Sequence, residues 1–441
     1  MNNLIYGIDE KPTLRAAIVL AFQQVLAILS ATITVPMIIG NEMDPAAAIF
    51  GAGIGTLIYL FFTQRKSPVF LGSSFAFIGS MLAAFAGATS VALGYMGLII
   101  GAIFAGLVYV VIAIAVKTFG TGWISSLMPP VVIGPTVAII GLSLASSAIT
   151  NFTSAGGIGV VIGLITLFVT MGVATFGNKQ TKMIPFIIGI LAGYIIALVL
   201  TLTGTPIIDT SIFANMSIIS IPKFVFLRAY GAMGELTPGY IATVAVAYIP
   251  VAFVVFAEHL ADHKNISSII GTDLLENPGL HRTLLGDGIG SIGGAFFGGC
   301  PNTTYGESIA CVAITRNAST YTILIAAIEC IIISFIGPIT AIISSIPACV
   351  MGAVCIALYG FIAVSGLKML QPVDLNDNAN LFTASVILII GIGGFTLSFG
   401  AITLTTVACA LILGIVTNKF LHRKDYKEII RERIESENGV L

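Results

Sequence analysis

Long apolar runs alternate with short polar breaks along almost the whole chain. A helix that crosses a bilayer needs about 20 mostly apolar residues, and charged residues and Pro/Gly clusters mark the ends of the runs. On this basis the sequence predicts 14 membrane-spanning segments, of which segments 3 and 10 are short and rich in Gly, Ser and Thr. The segments are residues 16–39, 45–62, 69–85, 95–116, 124–145, 158–176, 183–203, 240–262, 283–299, 302–315, 321–344, 347–367, 380–397 and 401–418.

The composition agrees with a chain that spans a membrane many times. Of the 441 residues, 9% are charged and 57% are hydrophobic, whereas a soluble domain is usually about 25% charged. These values exclude a soluble enzyme, a disordered protein and a nucleic-acid binder. The six cysteines show no CxxC spacing, so we expect buried apolar thiols and neither a metal site nor a cofactor. The polar N-terminus lacks the features of a signal peptide, so segment 1 is expected to remain in the mature protein.

The basic residues are distributed very unevenly between the two sides of the predicted bundle. If the N-terminus is cytosolic, all but two of the 19 Lys and Arg residues fall on the cytosolic side, and only Lys223 and Arg228 fall outside. Because cytosolic loops are normally enriched in Lys and Arg, this bias favours an even number of segments with both termini in the cytosol. The charged tail, residues 419–441, is predicted to be a solvated cytosolic helix.

Three short strings recur in the same order in the two halves of the chain. Gly53 to Thr56 resembles Gly288 to Ser291, Ser73 to Phe75 resembles Thr303 to Tyr305, and Pro129 and Gly134 resemble Pro347 and Gly352. The matches pair each segment with the segment seven positions later. Because seven is an odd number of crossings, the second half must enter the membrane from the opposite side. The predicted fold is therefore an all-α polytopic membrane protein built as a 7+7 inverted repeat.

Inverted repeats of this kind occur in many secondary transporters, where discontinuous helices hold the substrate near the midplane. The matched strings of segments 3 and 10 are the best candidates for such broken helices, because Ser, Thr and Gly favour extended or interrupted backbone there. The alternative is that these small residues only allow tight packing between helices.

Two glutamates lie within predicted spans, where ionisable groups are costly and usually mark function. Glu258 lies near the end of segment 8 and Glu307 lies in segment 10. A carboxylate in a dehydrated cavity favours its protonated form, so it can take or release a proton, and it can accept hydrogen bonds from a planar heterocycle. Asp262 and His263 follow Glu258 at i+4 and i+5 and are expected to share its face.

Each of the other ionisable residues in or near the spans has a simpler interpretation that stays open. His263 can be a residue that snorkels to the cytosolic boundary, Glu329 is better explained by a local polar contact, and Arg316 and Lys264 are interpreted as interfacial anchors. Asp262 and Asp287 remain undecided between a structural and a functional role.

Several motifs in the chain resemble those of the nucleobase–cation symporter family that carries uracil and xanthine, and specifically its bacterial uracil permease branch. The resemblance covers residues from about Lys11 to Lys419. Its most specific part is PNTTYGE after an AEH segment. The motifs are Ala257 to His259 (AEH), Leu274 to Arg282 (LLENPGLHR), Pro301 to Glu307 (PNTTYGE), Ala313 to Arg316 (AITR), Leu71 to Ile78 (LGSSFAFI) and Gly120 to Trp123 (GTGW).

The resemblance implies a particular division of the chain. Segments 1–4 and 8–11 would form a core domain and segments 5–7 and 12–14 a gate domain, with short antiparallel strands in the broken segments 3 and 10. The corresponding boundaries are a cytosolic N-terminus (1–15), core (16–116), gate (117–203), an extracellular loop between the repeats (204–239), core (240–344), gate (345–418) and the cytosolic tail (419–441).

The resemblance also implies the site. Glu258 and Glu307 would bind the uracil ring and Phe75 would pack against it. The backbone around Phe75, Tyr305 and Gly306 would bind its carbonyl groups. Ala31 would line the pocket and Tyr359 would approach from the gate side. His263, together with Glu258 and Glu307, is expected to serve proton coupling, and the chain is expected to form a homodimer through its gate domain.

Two positions depart from the family pattern. Gln24 of the Gln23-Gln24 pair stands where the family often has histidine, so no proton role is expected there. Glu329 stands at a position for which the resemblance implies no carboxylate.

The sequence therefore predicts a proton-coupled uracil importer in the cytoplasmic membrane that binds uracil, a proton and lipid but no nucleic acid. The alternatives are a carrier of another nucleobase, such as xanthine or urate, and an anion exchanger or channel on the related 7+7 fold. An anion site usually avoids two acidic groups in its cavity, and an intramembrane enzyme would need a nucleophile–base pair or metal cluster that the spans lack.

Overall fold

The computed structural model describes residues 4–120, 123, 128–178, 180–214, 216–399 and 402–422. Thr121 and Gly122 of the GTGW motif, the beginning of predicted segment 5 and residues 423–441 of the predicted tail helix lie outside the described residues.

The described chain is mainly helical and contains four short strands. The strands are β1 (Leu71–Ser73), β2 (Asn302–Thr304), β3 (Leu397–Phe399) and β4 (Ile402–Leu404). The helices are α1 (Leu14–Ile39), α2 (Pro45–Phe62), α3 (Ile78–Ala86), α4 (Val91–Phe119), α5 (Pro130–Ser143), α6 (Ala145–Phe152), α7 (Gly156–Phe176), α8 (Pro185–Leu202), α9 (Ser211–Ala214), α10 (Val225–Ala229), α11 (Pro238–Ile270), α12 (Leu280–Gly298), α13 (Gly306–Thr315), α14 (Thr320–Ile333), α15 (Gly337–Ser344), α16 (Ala348–Lys368), α17 (Asn378–Ile392) and α18 (Thr406–Leu421).

Within the described residues, eight helical stretches are long and apolar enough to cross a membrane. They include the joined pair α5 and α6 (130–152) and the 33-residue helix α11. Helices α13, α14, α17 and α18 are apolar but shorter. The chain is therefore a multi-pass membrane protein.

Local sequence signals explain where several helices begin. The Asp44 carboxylate accepts a hydrogen bond from the Ala46 N–H (2.9 Å) and caps α2. The Thr237 hydroxyl accepts one from the Tyr240 N–H (3.2 Å) and caps α11. Both helices then start with proline, which is favoured in the first turn because the N–H that it lacks would have no helical partner there.

The structure departs from the predicted spans in three places. Helix α11 continues to Ile270, past the predicted end at residue 262, because charged residues do not end a helix whose end can leave the bilayer. Predicted segment 11 is divided into α14 and α15, because Pro338 has no N–H to bond to a carbonyl in the preceding turn and lies instead in the first turn of α15, where proline is tolerated. The pair β3–β4 was not predicted and lies between α17 and α18.

The break in predicted segment 11 is stabilised by the loop that follows α9. The Ser220 N–H donates to the Phe335 carbonyl (2.9 Å), and the Gly337 N–H donates to the Ile218 carbonyl (2.9 Å). Backbone groups freed by the broken helix therefore keep hydrogen-bond partners, which is required where water is scarce.

Helix α12 lies between α2 and α4 and packs closely against both. A Cβ atom on Gly290 would lie 2.8 Å from the Gly55 carbonyl oxygen, and one on Gly288 would lie 2.7 Å from Cβ of Tyr109. Small residues allow this close approach of helix backbones, which is the usual source of helix association in membranes.

The helices divide by their contacts into two groups. Helices α1–α4 pack mainly with α11–α14, whereas α5–α8 pack mainly with α16–α18. The two groups meet where α1 contacts α8 and α16, and where α11 contacts α5 and α18. The candidate site described below lies along this boundary.

Candidate functional site

Two short strands form the centre of the candidate site. Strands β1 and β2 pair antiparallel, with Leu71 opposite Thr304 and Ser73 opposite Asn302. Strand β1 is followed within a few residues by helix α3, and strand β2 is followed by helix α13. The first N–H groups of a helix have no partner within it and carry partial positive charge, so each broken segment places donors beside the strands.

Side chains from neighbouring helices fix the two strands. The Leu71 N–H donates to the Thr56 hydroxyl oxygen (3.0 Å), and the Asn302 side-chain amide donates to the Gly51 carbonyl (2.9 Å). The Tyr305 hydroxyl crosses to the other strand and donates to the Ser73 carbonyl (2.7 Å). These bonds join the strands to the closely packed α2–α12 region, so the site is built on rigid elements.

A pocket of 80 Å³ lies beside the strands, and five of the residues predicted to bind substrate line it together. They are Phe75, Glu258, Tyr305, Gly306 and Glu307. Thr303 and Thr304 of β2 complete the wall on that side, whereas Ile140 of α5 and Leu358, Phe361 and Ile362 of α16 face it from the other group of helices. The sequence offered no signal for the apolar residues of α16, because they lie in a uniformly apolar span.

The two remaining predicted binding residues lie close to this pocket without being among its described lining residues. The Tyr359 ring packs edge-on against the Phe75 ring, with ring centroids 6.0 Å apart. Ala31 is fully buried in α1, and α1 lines the neighbouring larger cavity with Leu26, Ala27 and Ser30.

A larger cavity of 390 Å³ adjoins the small pocket. Glu258, Gly306 and Glu307 line both, and the larger cavity continues to Lys182 and Met369. A third cavity of 290 Å³ shares Phe75 and Ile140 with the small pocket but extends to Thr396 and Thr405 instead. A layer that contains Phe75, Ala76 and Ile140 therefore lies between the pocket and the third cavity.

Asp262 lines the 390 Å³ cavity one helical turn after Glu258. Its carboxylate accepts a hydrogen bond from the Thr304 hydroxyl (2.7 Å), which connects α11 to strand β2. With 3.6 residues per turn, residue i+4 lies about 40° from residue i around a helix. Asp262 therefore shares the face of Glu258.

His263 lies on a different face of α11, so the shared face expected from the sequence does not include it. Residue i+5 lies about 140° from residue i around a helix. The His263 ring is fully buried, with Nε2 2.7 Å from the Tyr59 hydroxyl and Nδ1 2.8 Å from the His259 carbonyl oxygen.

The other ionisable residues are placed away from the pocket lining. Asp287 on α12 contacts His259, with Oδ2 2.7 Å from Nδ1. Glu329 is partly buried on α14. The carbonyl of Arg316, which follows α13, accepts a hydrogen bond from the Ile5 N–H (2.8 Å), and Lys264 is exposed on α11.

Gln24, at the position where histidine is common, has a structural contact in this chain. Its side-chain amide donates to the Ser308 hydroxyl oxygen, which also accepts a hydrogen bond from the Phe70 N–H (2.9 Å). Gln24 therefore helps to join α1, α13 and the residue before β1.

Comparison with known proteins identifies the family. The sequence model of a permease family matches residues 15–399 of the chain. The chain belongs to this family. The resemblance expected from the AEH and PNTTYGE motifs is thereby confirmed.

Relatives of known name match along nearly their full length. The uracil permease of Bacillus subtilis (strain 168) is 38% identical over 94% of this chain and 94% of that protein. The uracil permease of Bacillus caldolyticus is 38% identical over 96% of this chain and 95% of that protein. The uracil permease of Escherichia coli (strain K12) is 37% identical over 94% and 93%.

Solved structures share the fold at low sequence identity. The transmembrane domain of the cyanobacterium bicarbonate transporter BicA has a TM-score of 0.64 at 14% identity and covers 94% of this chain and 99% of that chain. The murine Solute Carrier 26 family member A9 anion transporter, in the inward-facing state, has a TM-score of 0.67 at 12% identity. It covers 95% of this chain and 69% of that chain. At these identities the likeness concerns the fold alone.

Proposed function

We propose that the protein imports uracil together with protons across the cytoplasmic membrane by alternating access. The observation that carries this proposal is that Glu258 and Glu307 line one small pocket beside the N-terminal ends of α3 and α13. The relatives described above, which this chain matches along nearly their whole length, are named uracil permeases.

The pocket offers groups that complement the polar edge of uracil. Uracil is a planar ring with two N–H donors and two carbonyl acceptors. Glu258 and Glu307 would accept hydrogen bonds from the ring N–H groups, and the backbone N–H groups around Phe75, Tyr305 and Gly306 would bind its carbonyls. Phe75 would pack against the ring face, with Tyr359 behind it. The predicted contact of Ala31 with the substrate stays a prediction.

The same carboxylates support proton coupling. Two negative charges in one small dehydrated pocket repel each other, and a bound proton removes that repulsion. Asp262 adds a third carboxylate at the wall of the larger cavity. The predicted coupling role of His263 stays a prediction, since its ring is buried beside Tyr59 rather than at a cavity wall.

Alternating access would use the boundary between the two groups of helices. We assign α1–α4 with α11–α15 to a core domain (16–116 and 240–344) and α5–α8 with α16–α18 to a gate domain (117–203 and 345–418). With the N-terminus (1–15) and tail (419–441) in the cytosol and the 204–239 loop outside, the 390 Å³ cavity near Lys182 faces the cytosol. The layer of Phe75, Ala76 and Ile140 then closes the outer side.

Three further features belong to the proposal. The 14 segments form a 7+7 inverted repeat, in which β1 and β2 are equivalent elements of the two halves. Two copies associate through their gate domains. The site opens alternately to the two sides as the core shifts against the gate, so that uracil and the proton bind from outside and are released inside.

Two alternatives predict different ligands. A carrier of xanthine or urate would bind a larger bicyclic ring in the same pocket. An anion exchanger or channel on the same 7+7 fold would bind an anion at this site, but two carboxylates in the pocket disfavour an anion there. Competition of uracil, xanthine, urate and bicarbonate for binding distinguishes these cases.

Glu307→Gln tests the carboxylate role directly. The glutamine carbonyl oxygen can still accept from a ring N–H but carries no charge, so the charge-assisted part of the hydrogen bond is lost; a loss of about 1–2 kcal/mol weakens affinity about 5- to 30-fold. Radiolabelled uracil binding to purified protein measures the change. The matched control is Glu329→Gln, which removes a carboxylate on α14 away from the pocket lining and should leave affinity unchanged. Near-normal affinity of Glu307→Gln would contradict the assignment.

A further inference from the structure

Helix α11 presents two chemically different faces at the level of the site. One face carries Glu258 and Asp262, which line the 390 Å³ cavity. The adjacent face carries His259 and His263, which are fully buried and stack on each other with ring centroids 4.0 Å apart. Each carboxylate precedes a histidine by one residue, and consecutive residues lie about 100° apart around a helix. Contacts that fix where the two histidines point therefore also fix where Glu258 and Asp262 point.

Helix α12 holds His259 by two hydrogen bonds from one helical turn. His259 Nδ1 lies 2.7 Å from Asp287 Oδ2, and His259 Nε2 lies 3.0 Å from the Thr283 hydroxyl. The Thr283 hydroxyl donates its proton to the Leu280 carbonyl (3.0 Å), so it accepts a hydrogen bond from Nε2–H. The Asp287–His259 pair therefore shares one further proton between Oδ2 and Nδ1.

This proton count makes the pair electrically neutral as a whole. The shared proton can reside on the carboxyl or on the imidazole, and the sum of the two charges is zero in both cases. Both side chains are almost fully buried, at 0% and 1% exposure. A neutral, hydrogen-bonded pair of this kind avoids the large cost of an isolated buried charge.

The second histidine, His263, is held by residues of α2 and of the segment that follows it. The Tyr59 hydroxyl lies 2.7 Å from His263 Nε2 and 2.7 Å from the Ser67 hydroxyl. The His263 Nδ1–H donates to the His259 carbonyl. A neutral His263 satisfies every group in this series, so α2 and the residues after it support the same turn of α11.

Helix α11 needs such support because a proline inside it weakens its own hydrogen bonding. Pro250 lies inside the helix, two turns before Glu258. A proline removes one helical hydrogen bond and allows a bend. The half of α11 that carries Glu258 is thus oriented by its side-chain contacts with α12, which itself packs tightly between α2 and α4.

We propose that Asp287 is a positioning residue for uracil binding, which through His259 fixes the rotation of α11 that turns Glu258 toward the pocket. This inference rests on the proposed function of the pocket. It assigns Asp287 the role of a hydrogen-bonding anchor and not that of a carrier of the transported proton.

Substitutions at Asp287 separate the hydrogen bond from the charge. In Asp287→Asn the side-chain amide can donate to His259 Nδ1 and leave Nε2–H bound to Thr283, so uracil affinity should stay within threefold of the wild type. In Asp287→Leu the side chain has a similar volume but cannot form the hydrogen bond with His259, so uracil affinity should fall at least tenfold. Thr283→Val removes the second anchor and should weaken affinity three- to tenfold, which provides a second test if Asp287→Leu does not fold.

Binding of radiolabelled uracil to each purified, folded variant measures these effects per binding-competent molecule. A role in stability alone would lower the melting temperature without changing the Kd of the folded protein. Because Asp287 acts through Glu258, the loss caused by Asp287→Leu should shrink to less than threefold in a Glu258→Gln background.

The outcomes are distinct. The proposal is overturned if Asp287→Leu or Thr283→Val binds uracil with wild-type affinity, if Asp287→Asn loses as much affinity as Asp287→Leu, or if the effects of Asp287→Leu and Glu258→Gln are additive. Failure of the wild type to bind uracil would instead overturn the proposed function, and the inference with it. Rescue by Asn together with loss in Leu supports the anchor.

Discussion

Gly51→Ala should damage both the stability of the protein and its candidate site. Gly51 lies where α2 meets α12, and an added Cβ would lie 2.5 Å from the Gly294 carbonyl oxygen and 3.2 Å from the Gly298 backbone nitrogen. All the nearest atoms belong to backbone, so no side chain can rotate away. The two helices must separate, although ordinary contacts of this kind begin near 3.4 Å.

The expected magnitude follows from two opposing effects. Alanine favours a helix over glycine by about 1 kcal/mol, whereas overpacking in a close-packed interior costs about 1–3 kcal/mol. The difference leaves a loss of up to about 2 kcal/mol, which lowers the melting temperature by a few °C at most, because the shift per kcal/mol decreases with chain length. The Gly51 carbonyl also accepts the hydrogen bond from Asn302, so uracil affinity should fall as well.

Thermal unfolding in detergent, with and without uracil, measures both effects. Gly172→Ala is the matched control, because Gly172 lies in helix α7 with no neighbouring atom within 4 Å of an added Cβ. Its melting temperature should be unchanged or slightly raised. Equal stability and equal uracil affinity in the two variants would show that the close contact of α2 with α12 supports neither the stability of the protein nor the geometry of its site.

Two other substitutions test parts of the account. Tyr305→Phe removes the donor to the Ser73 carbonyl, which at about 1 kcal/mol should weaken uracil binding about fivefold; an unchanged Kd in a binding assay would argue against this bond between the strands. Glu42→Gln removes the negative charge that pairs with Arg228 at 2.7 Å, but surface ion pairs contribute only about 0–1 kcal/mol, so uptake and melting temperature should stay close to wild type. A large loss of uptake in Glu42→Gln would mean that this contact has a role beyond surface pairing.

The positions of most helices could be predicted because the bilayer imposes a simple rule of length and hydropathy. Helix α2 spans the predicted residues 45–62, and the other long helices differ from prediction mainly at their ends. Broken segments 3 and 10 were recognisable because Ser, Thr and Gly interrupt an apolar run. Strand pairing between Leu71 and Thr304 joins residues far apart in the chain, and periodicity within one segment carries no information about it.

The errors at the site have a geometric cause. Sequence spacing suggested one face for Glu258, Asp262 and His263, but a change from i+4 to i+5 turns a side chain by about 100°. The structure therefore puts Asp262 at the cavity wall and His263 beside Tyr59. The Asp287–His259 contact joins two helices and has no signature in local sequence.

Breaks inside long apolar stretches were also difficult to predict. Pro338 was included in a single predicted segment because its neighbours are apolar, and proline is tolerated in membrane helices when other groups satisfy the backbone. The partners that allow the break, Ile218 and Ser220, lie more than 100 residues earlier in the sequence. Only the folded chain brings them together.

Uptake of radiolabelled uracil by liposomes containing the purified protein tests the central claim most directly. A pH gradient, acidic outside, and a sodium gradient are imposed in separate experiments, with protein-free liposomes as the inactive control and Glu307→Gln as the variant expected to take up less uracil. The account predicts that the pH gradient alone drives uracil accumulation and that a protonophore abolishes it. Accumulation driven by sodium alone, or no uracil uptake under either gradient, would contradict it.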